Sequence, residues 1–266
     1  MAKTTRLVWM LTILFASIKL RAQQQNFPWP ENKKAAISLT FDDARPSQVI
    51  AGTALLDSLG AKATFYVLPG PVREHLEGWK KAVAGGHEIG NHSLYHPCSG
   101  NFEWSRDHAL EGYSLDSLQM ELAAANNMIK QMLGTEPKQF AYPCGQKFVG
   151  RGTGTKSYVP VIARMFVTGR GFMEETANDP LFADFAQITG IDMDGKQFID
   201  ILPVLQQAIA KGQWVVLAGH EMGESGPQTT RLNMLRELIS YCNNPRNQIW
   251  IAPVGEIANY IKQQKR

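Results

Sequence analysis

Ile37-Ser38-Leu39-Thr40-Phe41-Asp42-Asp43-Ala44-Arg45 is an apolar run that stops at two adjacent carboxylates. From Ala35 to Phe41 it has the length and apolar content of a buried strand. Neighbouring side chains on a strand point to opposite faces, yet at its C-terminal end Asp42 and Asp43 can both turn toward one pocket. Crowded there, two carboxylates disfavour ionising together unless a cation or a proton lies between them. The pair asks for further ligands elsewhere in the chain.

Outward from this strand, helices and strands alternate. A helix is expected from about Ser47, with Ile50, Leu55, Leu56 and Leu59 as its apolar stripe and Gly60 as its stop. A strand over Ala63 to Leu68 follows, then a short helix ending in Trp79 to Ala84 and closed by Gly85-Gly86. Ser114 to Leu133 reads as the clearest helix: Leu118, Leu122, Ala125 and Ile129 recur at helical spacing, Ser114 or Asp116 caps it, and Gly134 ends it. Gln139 to Tyr142 reads as a strand running into Pro143-Cys144-Gly145, and Lys147 to Lys156 as a loop. Val159 to Val167 fits either helix or strand. Beyond it come a strand (Ala186 to Met193) and a helix (Phe198 to Ala210, closed by Gly212). Pro203 falls near that helix's first turn or marks a kink. A strand (Trp214 to Ala218), a helix (Arg231 to Cys242), a strand (Ile249 to Ala252) and a helix (Val254 to Ile261) complete the chain. Such alternation predicts parallel pairing with right-handed crossovers, an α/β sheet or barrel. Functional groups then collect at the C-terminal strand ends, where Asp42-Asp43, the Cys144 turn and His220 all fall.

At 266 residues and 44% hydrophobic, the chain can bury one sizeable core. A single domain over 23–266 is expected. Residues 1–22 read as a signal peptide: Lys3 and Arg6 precede an apolar run from Leu7 to Ile18, and the segment closes on Leu-Arg-Ala. That run is shorter than the roughly 20 apolar residues needed to span a bilayer. Cleavage after Ala22 and export to a periplasmic or extracellular location are therefore expected, with no stable membrane insertion afterwards. Losing Lys3, Arg6, Lys19 and Arg21 takes the formal charge from +3 to −1. A nearly neutral protein lacks the basic footprint of a nucleic-acid binder. Cys98, Cys144 and Cys242 permit at most one disulfide and form no CxxC thiolate zinc pattern.

The ligands that Asp42-Asp43 asks for appear in Gly90-Asn91-His92-Ser93-Leu94-Tyr95-His96. Two imidazoles four apart lie on one face of a helical turn, and with one carboxylate they form a His, His, Asp set that leaves positions open for water and substrate. His220, directly after the strand Trp214 to Ala218, is placed at the pocket rim with proton chemistry near neutral pH.

With these residues in view, the chain resembles the polysaccharide deacetylase family, the NodB-homology carbohydrate esterases of family four. Ser38-Leu39-Thr40-Phe41-Asp42-Asp43 matches its TFDD motif, and His92-Ser93-Leu94-Tyr95-His96 its H-S/T-x-x-H motif. Phe140 to Gly145 takes the place of its R-x-P-Y motif, and Leu217 to His220 approximates its L-x-H motif. The resemblance runs from Ala35 to the end of the chain and implies an α/β fold, a distorted, incomplete (β/α) barrel of the NodB-homology type. It implies that Asp43, His92 and His96 bind a divalent metal, usually Zn2+ and sometimes Co2+ or Ni2+. It further implies that Asp42 is the base acting on a metal-bound water, that His220 is the acid, and that the backbone N–H of Cys144 helps hold the oxyanion. The implied activity is removal of N-acetyl or O-acetyl groups from an acetylated polysaccharide or oligosaccharide.

The chain departs from that pattern in three places. The family arginine that pairs with the catalytic aspartate falls on Ala141; Arg151, Arg164 and Arg170 are the candidates to replace it. The motif tyrosine falls on Cys144, a change expected to matter little because the contribution is a backbone N–H. No clear counterpart of the fourth motif is present, leaving Asp192 or Asp194 to orient His220, with no tryptophan after either. Tyr95, Trp104, Tyr142 and Phe172 are candidate sugar-stacking aromatics. The departures leave two alternatives to a deacetylase: an impaired homologue that binds carbohydrate without turnover, and a hydrolase of a non-sugar amide.

Overall fold

The run Ala35–Asp42 forms a fully buried eight-residue strand in a computed structural model describing residues 27–265. The signal-type segment 1–22 lies outside the described residues. In chain order the strands are β1 (Ala35–Asp42), β2 (Thr64–Val67), β3 (Glu88–Asn91), β4 (Gln139–Ala141), β5 (Phe148–Val149), β6 (Lys156–Ser157), β7 (Thr168–Arg170), β8 (Ile191–Asp192), β9 (Trp214–Gly219), β10 (Glu221–Gly223), β11 (Thr229–Arg231) and β12 (Ile249–Ile251). The helices are α1 (Thr53–Ser58), α2 (Pro69–Glu74), α3 (Leu76–Ala84), α4 (Leu115–Leu133), α5 (Val159–Met165), α6 (Phe198–Lys211), α7 (Leu232–Asn243) and α8 (Val254–Gln264).

Eight strands make one sheet in the order β7-β4-β3-β2-β1-β9-β8, with β12 also on β1. Every pairing in it is parallel. One edge of β1 is paired along its length with β9. The other edge is divided: β12 takes Ala35–Ile37, and β2 takes Thr40–Asp42. β1 and β9 are buried over their full lengths, as parallel strands covered on both faces must be. The sheet curls until Ile188 meets Arg170 in a single parallel bridge. Closure there rests on a few backbone bonds, Ile188 to Gly169, Gly171 to Ile188 and Glu174 to Gly190, so the fold is the incomplete, distorted α/β barrel that the family resemblance implies.

Most expected elements fall within a residue or two of their place. Ser114 is the N-cap of α4, its Oγ accepting from the Ser117 N–H at 3.0 Å, and Gly134 ends the helix at φ 71°. Pro203 sits inside α6. The ambiguous segment 159–167 resolves into α5, followed at once by β7, a strand the periodicity did not reveal because it is Thr-Gly-Arg. The expected loop 147–156 carries a short antiparallel pair, β5 with β6.

Two expectations need correction. Ile50 is not on the buried stripe; it is 70% exposed, because residues 48–52 form a π-helical turn whose wider pitch rotates the apolar register before α1 begins. The strand expected over 186–193 is also broken. Phe185–Gln187 form a 3-10 turn capped by Asp184, and only Ile188 and Ile191–Asp192 pair with the sheet. The interruption has a steric cause: a Cβ at Gly190 would lie 2.4 Å from the Gly171 carbonyl oxygen and 2.8 Å from Arg170 Cδ. The chain detours around the buried Arg170 side chain, and the N–H groups of Thr189 and Gly190 are taken by Asn178 and Glu174 instead of a strand partner.

These placements predict opposite outcomes for two apolar truncations. Leu39→Ala, at a fully buried β1 position, should lower unfolding stability by about 2–5 kcal/mol. Ile50→Ala should leave the urea midpoint nearly unchanged, within about 0.5 kcal/mol.

Candidate active site

The C-terminal ends of β1, β3, β4, β7 and β9 converge on a cleft of about 760 Å3 that contains Asp42, Asp43, His92, His96, Cys144 and His220 on its wall. β1 delivers both carboxylates because the chain turns sharply after Asp42: Asp43 and Ala44 take left-handed conformations, at φ 74° and 56°. Aspartate tolerates that region better than alanine does, and strained pairs of this kind persist only where the surroundings over-determine them. Gln48 supplies part of that hold. Its Nε2 donates to the carbonyls of both Asp42 and His220, clamping the ends of β1 and β9 together.

His92 and His96 share the cleft, although the turn that joins them is not helical. Ser93 and His96 have φ of 71° and 52°, and the loop is shaped by side chains. Asn91 Oδ1 accepts from the Ser93 N–H, and Ser93 Oγ accepts from the His96 N–H at 2.9 Å. The buried Glu121 of α4 accepts from the Leu94 and Tyr95 N–H groups at 3.1 Å each. With these donors satisfied by side chains, the loop has no need of helical hydrogen bonds. Gln48 and Glu121 are residues that sequence reasoning missed; a polar residue in a helix carries no signal of what its far end will meet.

Asp43 Oδ1 lies 3.4 Å from His92 Nε2 and 3.4 Å from His96 Nε2. It is buried and has no hydrogen-bond partner, whereas Oδ2 accepts from Arg45. Three donor atoms therefore converge with an unused lone pair among them, which is what a cation needs. Protonation states agree: burial, aided by the charge of His92, drives the His96 imidazole down to about 4, leaving it neutral near pH 7. Burial raises the Asp43 pKa, but the adjacent His92, together with the charges of His96 and His220, outweighs it and keeps the carboxylate ionised. His92 Nδ1 lies 3.0 Å from the Ala141 carbonyl; donating there leaves Nε2 as the ligand atom. These residues fit a divalent cation.

Asp42 stands beside this set, 3% exposed, with Oδ2 3.9 Å from His92 Nε2. Its partner is Arg170, whose Nη2 donates to both carboxylate oxygens while Nη1 donates to the Gly171 carbonyl at 2.7 Å. Arg151 and Arg164 are exposed. Arg170 is fully buried with its guanidinium 5.0 Å from the Tyr66 ring centroid. Ala141 and Arg170 are register partners on β4 and β7. The arginine missing from one strand is thus supplied by the adjacent position of the next.

His220 follows β9, and Asp194, not Asp192, holds it. Asp194 Oδ2 is 2.7 Å from His220 Nδ1, and Oδ1 accepts from the Thr230 hydroxyl at 2.7 Å. Asp192 instead accepts from the Asp194 N–H. A Cβ at Gly219 would sit 2.0 Å from Thr230 Oγ1, so the strand end must be glycine for Thr230 and Asp194 to close in. Burial lowers the His220 pKa, but the bond to Asp194 and the charges of Asp42 and Asp43 more than compensate, and the net shift is upward. All four candidate aromatics, Tyr95, Trp104, Tyr142 and Phe172, line the cleft, but Tyr142 is only 1% exposed and its hydroxyl donates to the Ala186 carbonyl. Cys144 is disulfide-bonded to Cys98, and Cys242 is a buried free thiol.

A parallel half-barrel with ionisable residues gathered at the C-terminal rim is an α/β architecture, and comparison with known proteins narrows it. Residues 30–151 match the sequence model of the polysaccharide deacetylases. A gellan lyase of Bacillus sp is 22% identical over 254 residues, which are 89% of this chain and 10% of that protein. The peptidoglycan-N-acetylglucosamine deacetylase PgdA of Listeria monocytogenes is 36% identical over 94 residues, 33% of this chain and 20% of the relative. The chain thus spans a fifth or less of the length of these curated relatives. Among solved structures, a Mycobacterium smegmatis protein assigned to the polysaccharide deacetylases superposes with a TM-score of 0.64 at 17% identity, over 89% of this chain and 93% of that one. A family 4 acetyl xylan esterase from Clostridium thermocellum, in complex with cobalt, gives 0.53 at 21% identity, over 85% and 91%. At such identities the structures show the fold.

Removing one member of the buried Arg170–Asp42 pair should be costly, since an uncompensated buried charge typically destabilises by about 3–5 kcal/mol. Arg170→Met is expected to show that loss in urea unfolding. Arg170→Ala combined with Ala141→Arg should recover a measurable part of it, because the two positions are adjacent in the sheet.

Proposed function

We propose that the protein is an exported, metal-dependent hydrolase that removes acetyl groups from a polysaccharide. The observation that carries this reading is the unpartnered Asp43 Oδ1 between the Nε2 atoms of His92 and His96. Two imidazoles and one carboxylate suit Zn2+, with Co2+ or Ni2+ as substitutes. When bound, the cation supplies Lewis acidity, polarising the acetyl carbonyl and lowering the pKa of a water to about 7.

The chain's own residues supply the rest. Asp42 takes the proton of the attacking water, and Arg170 orients and stabilises its carboxylate for that role. His220, kept protonated further toward alkaline pH by Asp194, gives a proton to the leaving nitrogen or oxygen. The N–H of Cys144 donates to the oxyanion that forms as the carbonyl carbon becomes tetrahedral. Tyr95, Trp104 and Phe172 offer faces on which sugar rings can stack. The relatives include a peptidoglycan-N-acetylglucosamine deacetylase and an acetyl xylan esterase, so both N-acetyl and O-acetyl glycans are natural substrates to try. Export is supported by the Cys98–Cys144 disulfide, which belongs to an oxidising compartment, and by the signal-type segment 1–22. The impaired, binding-only alternative is motivated by the missing arginine and the blurred fourth motif; Arg170 and Asp194 supply the arginine and the carboxylate, which favours turnover, while no tryptophan follows Asp194.

Acetate release from acetylated xylan, chitin oligomers and peptidoglycan is the direct test. It should disappear on chelation and return with zinc or cobalt, and Asp42→Asn should lower kcat by about 10²–10⁴. Unchanged release in Asp42→Asn would refute the assignment of the base. The pH profile provides a second check. Because the protonated imidazole is the acid and Asp194 raises its pKa, Asp194→Asn should move the alkaline limb of kcat to lower pH. The loss at pH 8 should therefore exceed the loss at pH 6.

A further inference from the structure

The Cys98–Cys144 disulfide joins two loops that the sheet does not pair: the turn carrying His96 and the turn after β4. Its Cys98 end is an anchor. Cys98 is fully buried, its N–H donates to Ser105 Oγ at 2.9 Å, and its carbonyl accepts from Ser105 Oγ and the Leu110 N–H at 3.0 and 2.9 Å. It also lies two residues beyond His96, with Sγ 3.6 Å from His96 Nδ1. The Cys144 end is the strained one. Cys144 has φ 53° and ψ 18°, a left-handed conformation that costs a non-glycine residue about 1–2 kcal/mol. The N–H groups of Gly145 and Gln146 bond back to the carbonyls of Tyr142 and Pro143, but among the described residues no acceptor takes the Cys144 N–H. That residue lines the same cleft as Asp42, His92 and His220. The second imidazole is tied to this strand end too, through His92 Nδ1 and the Ala141 carbonyl.

We propose that the disulfide is a positioning brace: it holds Cys144 in its left-handed conformation and fixes the direction of its N–H relative to His96. This rests on the deacetylase reading, in which that N–H meets the oxyanion. The physical case is that a lone left-handed cysteine between Pro143 and Gly145 relaxes to ordinary φ once its tether is cut, and its N–H swings away from the cleft. Cys98 then acts through Cys144, and turnover depends on the redox state of the pair. Reduction by a phosphine balances simply: the S–S bond takes two electrons and two protons to give two thiols, and the phosphine takes the oxygen of one water to become its oxide.

The experiment compares zinc-loaded oxidised protein with the same protein after phosphine reduction and anaerobic desalting, and with the C98S/C144S variant, which keeps both N–H groups. Three quantities are read: kcat and KM for acetate release, affinity for methylphosphonate as a tetrahedral anion bearing a methyl group, and zinc content. Deleting an oxyanion donor outright costs about 10²–10³ in kcat. Loosening one should cost at least about 10-fold, with a parallel loss of methylphosphonate affinity, unchanged KM and zinc content, and recovery on re-oxidation. Reduced protein that keeps both kcat and methylphosphonate affinity overturns the brace. So does loss of zinc, or uptake of a second equivalent by the freed thiols, since the effect would then arise at the metal. If the oxidised protein releases no acetate from any glycan, the deacetylase reading fails by itself, and the brace stands or falls on methylphosphonate affinity.

Discussion

The ion pair between Arg170 and Asp42 is the interaction on which the cleft depends. It joins the end of β1 to the end of β7, with three strands between them in the sheet order, and both partners are buried. A carboxylate so placed would be costly without a partner, and a guanidinium more so. Arg170 in turn dictates its own surroundings. Tyr66 lies against its face, the Gly171 carbonyl takes a second N–H, and the chain at Thr189–Gly190 gives up strand pairing to pass around it. The barrel is incomplete at the place where this side chain is housed.

Around that pair the cleft gathers like charges and then separates them. Asp42 and Asp43 are adjacent, yet each has its own cation: Arg170 for one and Arg45 for the other. Three histidines share the space, and their surroundings divide them. Burial and a neighbouring imidazole hold His96 neutral, whereas Asp194 pulls His220 toward the protonated form. Two imidazoles of one residue type are thereby suited to different work, ligation and proton donation, through their partners alone.

Much of the architecture was legible because it follows from periodicity. β1, β9, α4, α6, α7 and α8 are long or strongly patterned, and they appear where the apolar spacing puts them. The elements that escaped notice are short and polar: β3 and β7 include Glu88, Asn91, Thr168 and Arg170, whose side chains are buried in hydrogen bonds instead of apolar contacts. Alternation of apolar and polar residues cannot flag a strand whose buried residues are themselves polar. The π turn at 48–52 escaped for a related reason, since one added residue per turn shifts the stripe without changing composition.

The sequence alone determined which residue types could meet at the cleft. Asp42, Asp43 and His220 follow from local order, because each sits directly at or after a strand end and a parallel sheet brings such ends together, and His92 and His96 follow from their spacing of four. Only the tertiary structure decided which partner each one has. Arg170 and not Arg151 or Arg164, Asp194 and not Asp192, Cys98 and not Cys242 are choices among chemically equivalent residues. They turn on sheet register, on a glycine that admits a neighbour, and on where two loops cross. Those distances are set between segments far apart in the chain, and no local pattern of residues encodes them.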